Sequence, residues 1–499
     1  MTGEHLLSDE QMATFLRMGY LLLRPDDLQS SLHDHLFSEA AGLYDEARSV
    51  GGASAHLHIL GDNLLARVPA LDSVLESPAV RGALTSVLGP NPLLHPHHFV
   101  HSAGRADQGF HQDGNLPWNT RGHVRSPRPI AAMLFYYPQT VTDEMGPTEV
   151  LPGTQYWSGN FEDDEHWHAD DSLDRAFNDE VSRADDLAFR DARLAHSLGA
   201  LPYRNILRER LTVPAGSVVI AHYDLVHRGT RQAPGWDGRR FMYKFYFLRA
   251  EEPRAPSWNN HSKRLPPPAE CAVADEVVVQ QVWAWLRGDA TLNPGCDLPA
   301  LVQQMTTGDA TERRAAGDAL ARAGAVAALA ELTRSSKAPA RRMAAFAIGE
   351  SRIVTPEALD ALVRALVHAD ELTRSNAAFA LGSLARAAAL PAHVVDALLT
   401  RLDATIEPDN TNSAGISRST VRECVVYALV LALCNGSMSE AQRTELVQRG
   451  LGDSDRYVRG LVVAGVRRAS VALAPDWLPM LIGYLERRQY QRDGGVEVV

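Results

Sequence analysis

A short phrase that recurs at a fixed distance constrains this chain most. Ala344-Ala345-Phe346-Ala347-Ile348-Gly349 returns as Ala377-Ala378-Phe379-Ala380-Leu381-Gly382, a spacing of 33 residues (349 to 382). Looser copies run from Arg314 to Leu320, from Val421 to Leu429 and from Val458 to Gly465. Alanine and glycine at helical spacing let neighbouring helices approach closely. A fixed period of this size therefore describes helix pairs, each burying a face against the next. The character holds from about residue 298 onward, where Ala, Leu and Arg dominate. An irregular helical bundle is the plainer alternative.

The chain changes character near residue 255. Upstream it is rich in aromatics, Gly and Pro, with short apolar runs of strand length: Ala131–Tyr137, Val218–Ala221 and Phe241–Phe247, the last alternating and β-favouring. The first ninety or so residues read as more helical, opening with Ser8-Asp9-Glu10-Gln11, a capping-box pattern ahead of Met12, Phe15 and Leu16. Pro253, Pro256 and Pro266-Pro267-Pro268 mark a linker, followed by a helix around Val277–Leu286. Residues 156–200 form an acidic insertion, either a solvated excursion or a lid.

With 499 residues the chain exceeds one ordinary domain. Its formal charge of −12 argues against a general nucleic-acid binder, which needs clustered cations to displace counterions. Four dispersed cysteines (Cys271, Cys296, Cys424, Cys434), no signal-peptide pattern and no apolar run of membrane-spanning length make a reduced cytoplasmic compartment the expectation, without membrane attachment.

The chemistry concentrates in His111-Gln112-Asp113. On an extended segment residues two apart share a face, so His111 and Asp113 can reach one metal from one strand. His227, preceded by a turn and strand at Val213–Ile220, would supply the third ligand from another strand. Two histidines and a carboxylate form a facial triad that leaves positions open on Fe(II). His222, five residues before His227, is a rival that strand alternation would point to the opposite face. Arg239 and Arg240 follow about a dozen residues later, and an arginine there can hold a carboxylate by a two-point ion pair.

On these residues, 6 to 250 resemble the phytanoyl-CoA dioxygenase-like branch of the Fe(II)/2-oxoglutarate-dependent oxygenases. Leu7–Gln11 through Leu23 is similar to the family's N-terminal motif, and Ser77-Pro78 to Gly89-Pro90 to the helix and turn before its core. His111-Gln112-Asp113 matches its HxD ligands, Met145–Thr154 its Gly-rich stretch, and His227 its distal ligand. The resemblance implies Fe(II) held by His111, Asp113 and His227. It also implies 2-oxoglutarate held by Arg239, with Arg240 as fallback and Phe135, Thr148 and Thr230 alongside, and consumption of O2. Two departures stand out: Gln155 replaces a histidine that is not a ligand, and Gly229 replaces a polar residue, with Thr230 as a substitute. Retention of Asp113 disfavours halogenation. The repeats after residue 298 resemble HEAT repeats, about five of them.

The expected architecture is an α+β domain with a double-stranded β-helix (a jelly-roll or cupin-like barrel) over residues 1–252, a Pro-rich linker and connecting helix over 253–297, and an all-α HEAT-like solenoid over 298–490. The implied activity is hydroxylation of an unactivated C–H bond in a small metabolite or natural-product intermediate, with release of succinate and CO2. A scaffold with a vestigial oxygenase domain and a 2-oxoglutarate-independent dioxygenase are the alternatives. Gln112, Asn115, Trp118, Tyr136 and Tyr156 are candidate substrate contacts, and Arg121, Arg125 and Arg128 a basic approach for an acyl-CoA. The repeats are the candidate surface for a protein partner or self-association.

Overall fold

The structure is a computed structural model. It describes residues 5–49, 64–114, 116, 125–157, 170–172, 186, 188–189, 192, 195, 206–267, 274–289, 295–411, 417–469, 477–486, 490–491 and 497–498.

Helix α1 (Asp9–Met18) starts as the sequence predicts. Ser8 Oγ accepts from Gln11 N and the Gln11 side chain accepts from Ser8 N, a reciprocal capping box. After β1 (Tyr20–Leu23) come α2 (Ser30–Ser49) and α3 (Pro78–Leu88), and then the strands β2 (Leu93–Ser102), β3 (His111–Asp113), β4 (Ala131–Tyr137), β5 (Thr148–Val150), β6 (Asp170–Ser172), β7 (Glu209–Arg210), β8 (Ser217–His222), β9 (His227–Gly229) and β10 (Phe241–Leu248).

These strands form two antiparallel five-stranded sheets, ordered β1-β8-β4-β10-β2 and β6-β3-β9-β5-β7. The first sheet is covered on both faces, which explains why its strands read as nearly continuous apolar runs. Leu134, Tyr136, Ile220, Tyr243 and Phe245 pack under α1–α3, whereas Met133, Phe135, Val219, Met242 and Tyr246 face the second sheet. The acidic insertion lies largely outside the described residues, but β6 comes from it and pairs with β3, setting Asp170 opposite Asp113.

The segment after β10 is a strap rather than a loose tether. Buried Asp9 accepts from Trp258 Nε1 and Asn260 Nδ2 at 2.7 Å each, and from the amides of His261 and Ser262 at 2.8 Å each. Helix α4 (Glu276–Leu286) follows, where the sequence places it.

The C-terminal half is helical: α5 (Leu298–Thr307), α6 (Ala310–Arg322), α7 (Val326–Leu332), α8 (Ala338–Ser351), α9 (Pro356–Ala365), α10 (Glu371–Ala387), α11 (Ala392–Arg401), α12 (Thr420–Cys434), α13 (Glu440–Leu451), α14 (Arg456–Ala469) and α15 (Leu478–Glu486). The recurring phrases fall on α6, α8, α10, α12 and α14, and each of these packs on the next. Phe346, Phe379 and Tyr427 stack through three of them, with ring centroids 5.8 and 5.9 Å apart. The repeated glycines permit this approach, since a Cβ on Gly349 would sit 2.8 Å from Ala380 Cα. We expect Gly349→Val to cost about 2 kcal/mol of stability by overpacking. Exposed Arg467→Ala should stay within about 0.5 kcal/mol of wild type, both read from denaturant midpoints.

Candidate metal centre

Strands β3 and β9 are neighbours, and His111 lies directly opposite His227 in their register. Asp113 follows two residues along on the same face. The Nε2 atoms of both histidines lie 3.7 Å from Asp113 Oδ1, and the three ligand atoms are all within 4.8 Å of one another. All three residues are buried.

The histidines are oriented for ligation. His111 Nδ1 lies 2.9 Å from the Gly109 carbonyl and His227 Nδ1 lies 2.9 Å from the Leu225 carbonyl. A carbonyl only accepts, so each Nδ1 carries the proton and each Nε2 presents a lone pair, the arrangement that fixes metal-binding imidazoles. For His227, burial and then the Lys244 charge push the pKa down to about 3, which keeps the ring neutral. At Asp113 burial favours the neutral acid, but the Lys244 ammonium, which also donates to it, outweighs that and holds the carboxyl below its ordinary range.

Asp113 Oδ2 is held by two residues that sequence reasoning missed: Lys244 Nζ at 2.6 Å and Tyr246 OH at 2.9 Å. Lys244 Nζ is also 3.2 Å from His227 Nε2. The available signal was a lysine inside the otherwise uncharged run Phe241–Leu248. The Asp113 carbonyl accepts from Arg125 Nη2 at 3.1 Å, and Arg125 pairs with Asp224. The rival His222 faces the other way, stacked 6.3 Å from Phe15, with its Nδ1 accepting from the Asp224 amide.

The structure does not bring Arg239 to this group. Its guanidinium points outward and pairs with Asp45 at 2.7 and 3.0 Å. The fallback, Arg240, is buried on the inner face of the strand. It donates to the Gly146 carbonyl, and its Nε has no hydrogen-bond partner among the described residues. Burial lowers its pKa, opposed by Tyr137 and Tyr44. Phe135 lies 6.0 Å from the His227 ring. Thr148 Oγ1 accepts from Tyr137 OH at 3.1 Å, while Thr230 Oγ1 is committed to the Pro147 carbonyl at 2.6 Å. Gly229 is covered by Gln108, whose Oε1 accepts from the Gly229 amide at 2.8 Å.

The substrate contacts inferred from sequence mostly belong to the scaffold. Strand alternation turns Gln112 away from its neighbours, and its Nε2 donates to the carbonyls of Trp157 and Asp224. Tyr136 faces the helical layer and pairs with His33, and Tyr156 donates to the Leu16 carbonyl. Arg125 is buried and Arg128 pairs with Glu350, so neither offers a basic approach for an acyl-CoA. Asn115, Trp118 and Arg121 lie outside the described residues.

The HEAT-repeat family model matches residues 326–415, so the C-terminal half contains HEAT repeats. No curated protein matches the chain in sequence. Among solved structures, the chain is similar to the non-heme α-ketoglutarate-dependent carbocyclase SnoK from nogalamycin biosynthesis (19% identity, 49% of this chain and 85% of that one, TM-score 0.34). It is also similar to HygX from Streptomyces hygroscopicus with nickel and 2-oxoglutarate bound (15% identity, 49% and 87%, TM-score 0.33). A third likeness is to EctD from S. alaskensis with bound Fe (17% identity, 58% and 86%, TM-score 0.33). At such identities and TM-scores these likenesses carry no argument about chemistry, which rests on the residues themselves.

We expect one equivalent of Co(II), followed by its d–d absorption under anaerobic conditions, to bind the whole chain. His111→Ala and His227→Ala should each weaken binding by more than about a hundredfold. His222→Ala should retain it even if the protein melts earlier.

Proposed function

We propose that the chain is an Fe(II)- and 2-oxoglutarate-dependent dioxygenase whose oxygenase domain spans residues 1–252, with a connection over 253–297 and the helical repeats over 298–490. It would hydroxylate an unactivated C–H bond of a small metabolite or natural-product intermediate. The carrying observation is the convergence of two imidazoles, each with its proton fixed on Nδ1, and one buried carboxylate. Hard carboxylate and imidazole donors in this ratio suit Fe(II) with open positions. Bound there, iron with 2-oxoglutarate supplies O2 activation coupled to release of succinate and CO2.

The chain's own residues supply binding and exclusion of water. Arg240, a buried cation whose Nε has no hydrogen-bond partner among the described residues, takes the distal carboxylate of 2-oxoglutarate as a charge-assisted pair. This assigns the anchor to Arg240 rather than Arg239. Phe135 and Met242 belong to the same buried cluster, and Thr148 Oγ1 lies 3.7 Å from Met242 Sδ. Tyr246 and Lys244 occupy Asp113 Oδ2, leaving Oδ1 for the metal. Among the described residues no helix is long and apolar enough to cross a membrane. A small-molecule substrate and a cytoplasmic setting complete the proposal.

One observation favours the alternative of a binding protein with a vestigial site: the Lys244 ammonium lies within hydrogen-bonding reach of both Asp113 and His227. Anaerobic titration separates the two readings. With Fe(II) and 2-oxoglutarate, the enzyme should develop the weak visible charge-transfer band of the chelate and release succinate slowly on admission of O2. Metal-free protein under the same conditions would establish the vestigial reading. We further expect Arg240→Ala to raise the apparent Kd for 2-oxoglutarate by at least about tenfold, the loss of one buried charge-assisted pair, while Arg239→Ala leaves it unchanged.

A further inference from the structure

The helical half reaches the metal centre by two separate routes. The first starts on α14. Its Gly460 lies against β2, where a Cβ would sit 2.3 Å from Pro96 Cβ, so helix and strand are in direct contact. This seats Tyr457 over β2, with its hydroxyl 2.6 Å from His97 Nδ1. Tyr457 is itself fixed: the Arg418 and Arg456 guanidiniums lie 4.6 and 4.8 Å from its ring, and Arg456 donates to its hydroxyl at 2.8 Å. The His97 ring packs 5.0 Å from Tyr246, and Tyr246 OH donates to Asp113 Oδ2. All of these side chains are buried.

The second route starts on α6. Arg314, 4.9 Å from Phe346 in the aromatic column, donates to the backbone carbonyl of Arg125. Arg125 in turn donates to the Asp113 carbonyl and pairs with Asp224. Next to it, Ser126 Oγ donates to Glu350 of α8 at 3.0 Å and Arg128 to the Glu350 carbonyl at 2.9 Å. The segment that carries Arg125 is therefore fastened to the repeats.

We infer that the HEAT repeats are a structural component of the metal centre, with Tyr457 and Arg314 as positioning residues that hold Asp113 through Tyr246 and Arg125. This rests on the assignment of His111, Asp113 and His227 as ligands. Coupling of this kind needs contiguous packed or hydrogen-bonded groups, and both routes provide them. One route ends on the carboxylate and the other on the backbone of the same residue. The repeats thus fix both the position of Asp113 and the rotation of its side chain.

The test uses the whole chain and Co(II) alone as the probe. Tyr246→Phe removes a direct partner of the ligand and should weaken Co(II) binding about tenfold. Tyr457→Phe and Arg314→Met should each weaken it about threefold and change the d–d intensity, with Arg467→Ala on the same helix as Tyr457 unchanged. In a double-mutant cycle, Tyr457→Phe should add nothing in the Tyr246→Phe background, whereas a merely stabilising role would leave the two effects additive. Wild-type affinity and spectrum in both Tyr457→Phe and Arg314→Met, or full additivity in the cycle, would overturn the inference. Should Arg314→Met not fold, the cycle at Tyr457, which loses only a hydroxyl, decides alone. If the wild-type chain binds no Co(II), the ligand assignment falls and this inference with it; if it binds but the variants are silent, only the inference falls.

Discussion

Asp113 is buried with its carboxylate charged, and most of the site is arranged around that fact. An isolated carboxylate in such a place would protonate, because desolvation penalises the ion. Here Lys244 and Tyr246 satisfy one oxygen, two imidazoles face the other, and Arg125 takes the backbone carbonyl. The partners come from four places in the chain: β10, β9, β3 itself, and the segment before β4. Holding one carboxylate therefore requires the two sheets to face each other at a fixed separation, and fixes β10 in the phase that points Lys244 and Tyr246 inward.

The same requirement accounts for the coverage of the outer surfaces. A sheet buried on both faces needs layers on both sides, which α1–α3 and the second sheet supply. The edge strand β2 is then left beside β10, and α14 packs against it. Glu252, just after β10, is tied to Arg386 of α10 at 3.4 Å and to Trp285 of α4 at 2.8 Å, with Arg352 at 3.8 Å. Burial opposes its ionisation, but Arg386, Arg128 and Arg352 keep its carboxyl below the ordinary range. A carboxylate shared among residues of the helical half and the sheet-bearing half is a poor hinge. Separating the halves would expose several charges that now neutralise one another.

Different parts of this arrangement were legible in the sequence to different degrees, for identifiable reasons. The His111 and Asp113 pair was legible because HxD needs only period-two geometry, whereas His222 and His227 end β8 and begin β9, strands of different sheets joined by a turn, so it is the change of sheet rather than alternation along one strand that parts them. The repeats were legible because close helix contact restricts the residue at each crossing, so Gly349 and Gly382 recur with their neighbours. Arg239 and Arg240 were not separable, since choosing between adjacent residues requires the strand's phase, which tertiary pairing sets. Gln112 and Tyr136 illustrate the same limit: proximity to a ligand in sequence placed them near the site, while alternation turned them into the scaffold. Tyr457 lies 360 residues from His97, and no local pattern anticipates a contact of that range.

The phase of β10 also bears on the proposed co-substrate. Arg240, immediately before β10, and Lys244 within it are in the same alternation phase, with Met242 between them. At a rise of about 3.3 Å per residue their backbones are separated by roughly 13 Å. Lys244 marks the end at the His111, Asp113 and His227 cluster, being in contact with Asp113, and Arg240 marks the other, beside Tyr137 and Gly146. The long Arg240 side chain shortens the gap, and Met242 and Phe135 between the ends are apolar. On the proposed reading, a 2-oxo acid without a second carboxylate would still meet the metal but leave the Arg240 charge buried and uncompensated. A dicarboxylate neutralises both ends. Selection among oxo acids would thus come from the cost of an unpaired buried cation at one end of a strand, an interaction made far from the bond that reacts.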